Sequence, residues 1–275
     1  MMQDSFRSAG DLDVEGLPQM WHGMDLLWQR VLELRDPPAD LRLSARRFDL
    51  AQTAGHRVYI GADRHLQCAM DNHRALVGLL NAHGATPWAP WNLLRPSLEA
   101  AVLAAWVLES NDGLTRRTRG LQLELIDNSE RSKYWRELEL LPGGTGREVA
   151  RQMAAAQARV VPIYRAEAED LGVSYEKLCH SNVVIRDIIG QLGYMKSDKS
   201  FAALARATWR SLSGFQHGHG YALLTGSDMT VVAPTQGGQV SHLVINDERF
   251  VTCATVVAHV MTEAMQLWVR RSTQI

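Results

Sequence analysis

Cysteine is scarce in this chain. Cys68, Cys179 and Cys253 are far apart, odd in number and form no CxxC pair, so no disulfide framework is expected and the thiols fit a reducing cytoplasm. Excess charge of either sign is also missing. With a formal net charge of −1 and ten histidines counted neutral, no global field draws the protein to nucleic acid or anionic lipid, and any such binding must be local. Long uncharged apolar runs are absent as well, none approaching the roughly 18 residues of a membrane span, so no membrane partner is expected. The start, MMQDSFRSAGDLDVEG, has no basic segment followed by an apolar one, and residues 1–16 are expected to fray. Several motifs are lacking too. The chain contains no GxxxxGK[ST], no GxSxG, no HExxH and no Glu-x-x-His, which removes the signatures of P-loop nucleotide binding, of serine hydrolases, of zincins and of di-iron bundles.

What the chain does contain is helical periodicity. Hydrophobic residues make up 46% and charged residues 21%, the balance of a globular protein. Met20, Met24, Leu27, Trp28 and Val31 recur at helical spacing within 17–34, after which Pro37-Pro38 stops the pattern. Residues 56–83 read as a long helix ended by Gly84, with Ile60, Leu66, Met70, Leu76, Leu79 and Leu80 as core candidates. Residues 91–109 form the most apolar helix, and Asp112 caps the next one, 113–141. An alanine-rich helix, 147–170, ends at Gly172. A short one then opens at Ser174, and another, capped by Asp198 or Ser200, carries Arg210. Thr230-Val231-Val232 and residues 240–245 are β-branched and predict a hairpin before a last helix, 250–271, capped by Asp247. The fold class is therefore mainly all-α: one domain, 1–275, of seven to eight helices in a bundle, with a hairpin inserted at 221–246.

Three groups of residues carry chemistry. Arg210 and His217 are seven apart, two turns of one helix, so a fixed cation and an imidazole, a group of the type that titrates near neutrality, face one side. His219 follows between Gly218 and Gly220. Arg95, Glu99, Arg116, Arg119 and Asp127 place charge on two adjacent apolar helices, either as a buried ion-pair network or as an anion pocket whose guanidinium groups hold phosphate or carboxylate. His56, Asp63, His65, Cys68, Asp71 and His73 crowd one helix, but without Glu-x-x-His no metal or other cofactor is expected.

Arg210, a polar Ser211 and His217 in an otherwise helical chain resemble the R-x(4–6)-H signature of HEPN-superfamily domains, using its longest gap. The resemblance covers the helix 200–217 and, more loosely, the bundle before it. It implies a metal-independent RNA endonuclease acting as a homodimer, with RNA as partner, and the cysteine usage points to the cytoplasm. Two other readings stay open. One is a non-catalytic binding or scaffold protein holding a small anionic ligand in the arginine pocket, and the other is a small-molecule enzyme with a His/Asp metal site.

Overall fold

Helix start and stop signals in the sequence match most element boundaries of the computed structural model, which describes residues 16–36, 43–142, 144–236 and 238–274. The expectations for 1–15 and the Pro37-Pro38 stop lie outside the described residues. The fold is all-α with one small hairpin: twelve helices and two strands among the described residues. The helices expected from periodicity are α1 (Leu17–Glu33), α3 (Gly55–His83), α4 (Ala89–Glu109), α5 (Gly113–Glu139), α6 (Thr145–Asp170), α10 (Lys199–Gln216) and α12 (Asp247–Thr273). The short helix expected after Ser174 is α7 (Tyr175–His180), and the excess over eight comes from α2 (Ala45–Leu50), α8 (Ile185–Ile189), α9 (Gly193–Ser197) and α11 (Gly220–Gly226). Pieces of five to seven residues complete too few turns to show a helical period.

Caps explain the boundaries locally. Asp112 accepts from the backbone N–H groups of Leu114 and Thr115, Ser174 from Lys177 and Asp198 from Phe201. The last helix is capped one residue earlier than expected, because the Asn246 side chain, rather than Asp247, accepts from Arg249 N–H. Pro96 lies inside α4, which starts at Ala89. Strand β1 (Ser227–Thr235) pairs antiparallel with β2 (Gly238–Ile245), joining Thr230 to His242 and Val231 to Ser241, with a register shift between Val231 and Ala233. Residues 221–226 of the expected insertion are helical, within α11.

The described residues divide into two compact units, one drawn from 16–36, 64–105 and 184–269, the other from 43–63, 106–183 and 270–274. The first unit is centred on aromatic packing. Trp91 of α4 stacks on Phe215 of α10 with centroids 4.5 Å apart, and its edge meets Phe250 of α12 at 5.6 Å. A Cβ at Gly226 would sit 2.3 Å from the Phe215 ring, so the residue leading into β1 has to be glycine. In the same unit His73 is 5% exposed and lies against the edge of Trp21. By length and mean hydropathy α12 is, among the described helices, the one long and apolar enough to cross a membrane, but 61% of that stretch is buried within the protein, as in a core helix.

The second unit is organised by paired charge. Gly120 of α5 passes so close to α3 that a Cβ would meet Val58 N at 2.7 Å, and beside this contact Leu121, Leu125, Tyr164 and Ala168 form an apolar cluster. Arg57 binds Glu167 through two hydrogen bonds and lies over the Tyr164 ring. Asp49 of α2 accepts from Nε and Nη2 of the Arg116 guanidinium, at 2.7 and 2.9 Å, and from the Tyr59 hydroxyl at 2.8 Å. Both charged side chains are 4% exposed. Arg116 Nη1 donates onward to the carbonyls of Ser110 and Asn111, while Arg271 donates to those of Leu108, Glu109 and Ser110 and to Asn111 Oδ1. Burial beside the Asp49 carboxylate raises the Tyr59 phenol far above its usual range. The sequence expectation had put Ile60 in the core, yet Ile60 is 58% exposed and its neighbour Tyr59 is buried instead.

Two stability predictions follow from these burials. Asp49→Ala should strand the buried Arg116 charge and cost about 3–5 kcal/mol in chemical denaturation, with Asp49→Asn less costly because it keeps an acceptor. For His73, burial pulls the pKa down to about 4, with Asp25 opposing and Arg74 assisting. The folded state then binds fewer protons than the unfolded state at pH between the two pKa values. Stability present near pH 7 should therefore fall by about 3 kcal/mol as the pH drops from about 6.5 to about 4. His73→Phe should lose this acid-sensitive component when denaturation midpoints are compared at the two pH values.

Candidate functional site

The stripe of α4 that carries Arg95 and Glu99 is one helical turn long, so their side chains meet: Arg95 Nε donates to Glu99 Oε1 at 2.9 Å. The indole N–H of Trp209, from α10, donates to the same oxygen at 2.9 Å. The pair is only partly buried, Arg95 being 14% and Glu99 31% exposed at the side chain. With its Nε fixed on the carboxylate, Arg95 presents Nη1 3.4 Å from His217 Nε2. Arg95 and His217, which the sequence put in separate groups, thus meet at the end of α10.

The local backbone explains why His217 is there. α10 runs unbroken through Gly214, which is buried against Tyr221 and Ala222 of α11, where a Cβ would come within 2.7 Å of both. His217 is the C-cap, followed by Gly218 at φ +67°, the left-handed conformation that suits glycine. Gly218 N–H donates to the Phe215 carbonyl and His219 N–H to that of Gly214, which closes the helix end. The His217 and His219 rings lie 6.0 Å apart, and His219 stacks on Tyr221 at 5.9 Å. His217, His219 and Tyr221 are all exposed. Arg210 is exposed too, and its carbonyl accepts the Tyr221 hydroxyl.

The remaining sequence candidates find other partners. Arg116 is held by Asp49, Arg119 donates to the Trp106 carbonyl and lies over the Trp106 ring, and Asp127 pairs with Arg131 on the surface. Of the five charged residues grouped in the sequence, Arg95 and Glu99 pair with each other, whereas Arg116 and Asp127 pair with residues outside the group. Among the described residues no three His, Cys, Asp or Glu side chains converge as a metal site. Cys68 is exposed and accepts from Asn72. Trp209 and Tyr221 were missed as site residues. For Trp209 the indole N–H was the available signal, because a half-buried indole seeks an acceptor.

The charge network is partly solvated, which sets the size of its contribution. Glu99→Ala removes the acceptor of both Arg95 Nε and Trp209 Nε1 and should cost about 2 kcal/mol in chemical denaturation. Glu99→Gln keeps a carbonyl acceptor and should cost roughly half of that. No protein-family model, curated protein or solved structure matches this chain.

Proposed function

We propose that the exposed end of α10 is a HEPN-like, metal-independent RNA-cleaving site, formed across two copies of the chain. The observation that carries the reading is the contact between Arg95 and His217 at 3.4 Å, with Arg95 anchored from behind by Glu99. In this arrangement the Nε2 lone pair accepts from Arg95 while no substrate is bound. A phosphate that takes over Arg95 Nη1 releases Nε2 to receive the proton of the neighbouring ribose 2′-hydroxyl. The 2′-oxygen then bonds to phosphorus as the bond to the 5′-oxygen breaks. The leaving oxygen takes its proton from an imidazolium, that of His219 or of His217 in the second copy. Arg95 and Arg210 offset the charge that builds on the phosphoryl oxygens. Arg210 precedes His217 by two turns, about 10 Å along the helix, a spacing suited to an adjacent phosphate. Tyr221 and His219 offer flat faces on which an unstacked base can rest.

A second reading draws on the same contact. Because Arg95 occupies the Nε2 lone pair, the cluster also suits an anion-binding site without chemistry, in which arginine and histidine hold a phosphate together.

Cleavage assays separate the two. Wild-type protein should cut single-stranded RNA at low salt in the presence of EDTA and leave 2′,3′-cyclic phosphate and 5′-hydroxyl ends. His217→Ala should abolish cleavage, and Arg95→Ala should lower kcat/KM by about 10²-fold while circular dichroism stays unchanged. RNA that is bound but never cut, with binding lost in Arg95→Ala, would establish the non-catalytic reading. A His217→Ala variant as active as wild type would sink the nuclease.

A further inference from the structure

A second site lies in the other unit, independent of the histidine cluster. Beside α2 and the beginning of α5 there is a cleft of about 620 Å³, within the range that small-molecule sites occupy. Its charged lining consists of Asp49, Asp112, Arg116, Arg117 and Arg271, and its apolar lining of Ala45, Phe48 and Leu114.

The charges are not equally available. Arg116 is neutralised by its two-bond pair with Asp49. The Asp112 carboxylate is committed to the first turn of α5, where Leu114 N–H, Thr115 N–H and the Thr115 hydroxyl all donate to it. Arg117 uses Nε and Nη1 on the carbonyls of Gly113 and Thr53, and Arg271 uses Nε and Nη2 on carbonyls and Asn111. Among the described residues, Nη2 of Arg117 and Nη1 of Arg271 carry no hydrogen bond. Neutral carbonyls leave both guanidinium charges uncompensated, and three arginines against two aspartates give the lining a surplus of one positive charge. Its apolar side is equally unusual, since Phe48 is 73% and Leu114 45% exposed at the cleft. Gly113 keeps the floor open, because a Cβ there would come within 2.8 Å of Asp49 Oδ1.

We propose that this cleft binds a small organic monocarboxylate whose apolar body lies against Phe48 and Leu114 and whose carboxylate meets Arg117 and Arg271. The single surplus charge matches a monoanion rather than a phosphate dianion, and the volume and apolar wall exceed what a bare inorganic anion fills.

Titration calorimetry on the full chain tests this with benzoate and hexanoate as probes, benzamide and hexanamide as their neutral counterparts, and inorganic phosphate. At least one carboxylate should bind, about tenfold or more tighter than its amide. Phe48→Ala and Leu114→Glu should each weaken that binding by about tenfold with unchanged melting temperature, since both side chains are exposed and a glutamate suits the first turn of a helix. Arg117→Ala should abolish the preference for acid over amide. The proposal falls if neither carboxylate binds at about 10 mM or if the amides bind as well as the acids, both of which remove the guanidinium contact. It falls equally if Phe48→Ala and Leu114→Glu bind like wild type, or if phosphate binds as tightly as the carboxylates and is indifferent to Phe48→Ala.

Discussion

The end of α4 imposes the constraint on which the second unit depends. A helix leaves its last carbonyls without partners in the helix, and here those of Leu108, Glu109 and Ser110 accept from the buried Arg271. Arginine resolves this in a way that few residues can, because one planar guanidinium reaches several oxygens at once and carries the charge that a helix C-terminus favours. Arg271 does so from the last turn of α12, and Arg116 from the first turns of α5. Arg116 is buried deeply enough to require Asp49, and Asp49 in turn fixes the Tyr59 hydroxyl. One set of unpaired carbonyls thereby determines the placement of α2, α3, α5 and the end of α12 within that unit.

That requirement also sorts the arginines into those that hold the fold and those left for other work. Arg116 and Arg57 have carboxylate partners at low exposure, and removing either partner would leave a buried charge. Arg119 is satisfied by a carbonyl and an indole ring. Arg95 differs, because Glu99 takes only its Nε and leaves Nη1 facing an exposed histidine. Arg117 and Arg271 differ in another way, being satisfied by neutral oxygens alone. Chemical availability in this protein is thus a matter of which guanidinium edge is left over, not of which arginine is most exposed.

Local signals were legible in the sequence, and long-range ones were not. Asp112, Ser174 and Asp198 act as caps because capping depends on residues within one turn. The hairpin was legible from β-branched runs, and the seven long helices from apolar spacing. The shift from Ile60 to Tyr59 shows where spacing fails: hydrophobicity favours isoleucine, but only tyrosine can satisfy a buried Asp49 oxygen. Arg95 and His217 were each visible as candidates, yet they are 122 residues apart and nothing local announces that they meet. Asp49 escaped notice for the same reason. It sits in a helix of six residues, and its partner is 67 positions away.

The geometry at the end of α10 shows how a rigid site can be made from glycine. Gly218 in the left-handed conformation turns the chain so that His217 and His219 leave the backbone on either side of it, their rings 6.0 Å apart. The two hydrogen bonds that close the helix, from Gly218 to Phe215 and from His219 to Gly214, fix this turn from within. Gly214 fixes it from outside, since its missing side chain lets Tyr221 and Ala222 pack directly on the helix. Phe215, stacked on Trp91, ties the same turn to the aromatic core. The imidazoles are exposed, while the helix end just before them is anchored by the buried Gly214 and Phe215. Groups held in this way would lose little further freedom on engaging an anion, and that preorganisation, rather than any single contact, is what the proposed reading of the end of α10 draws on.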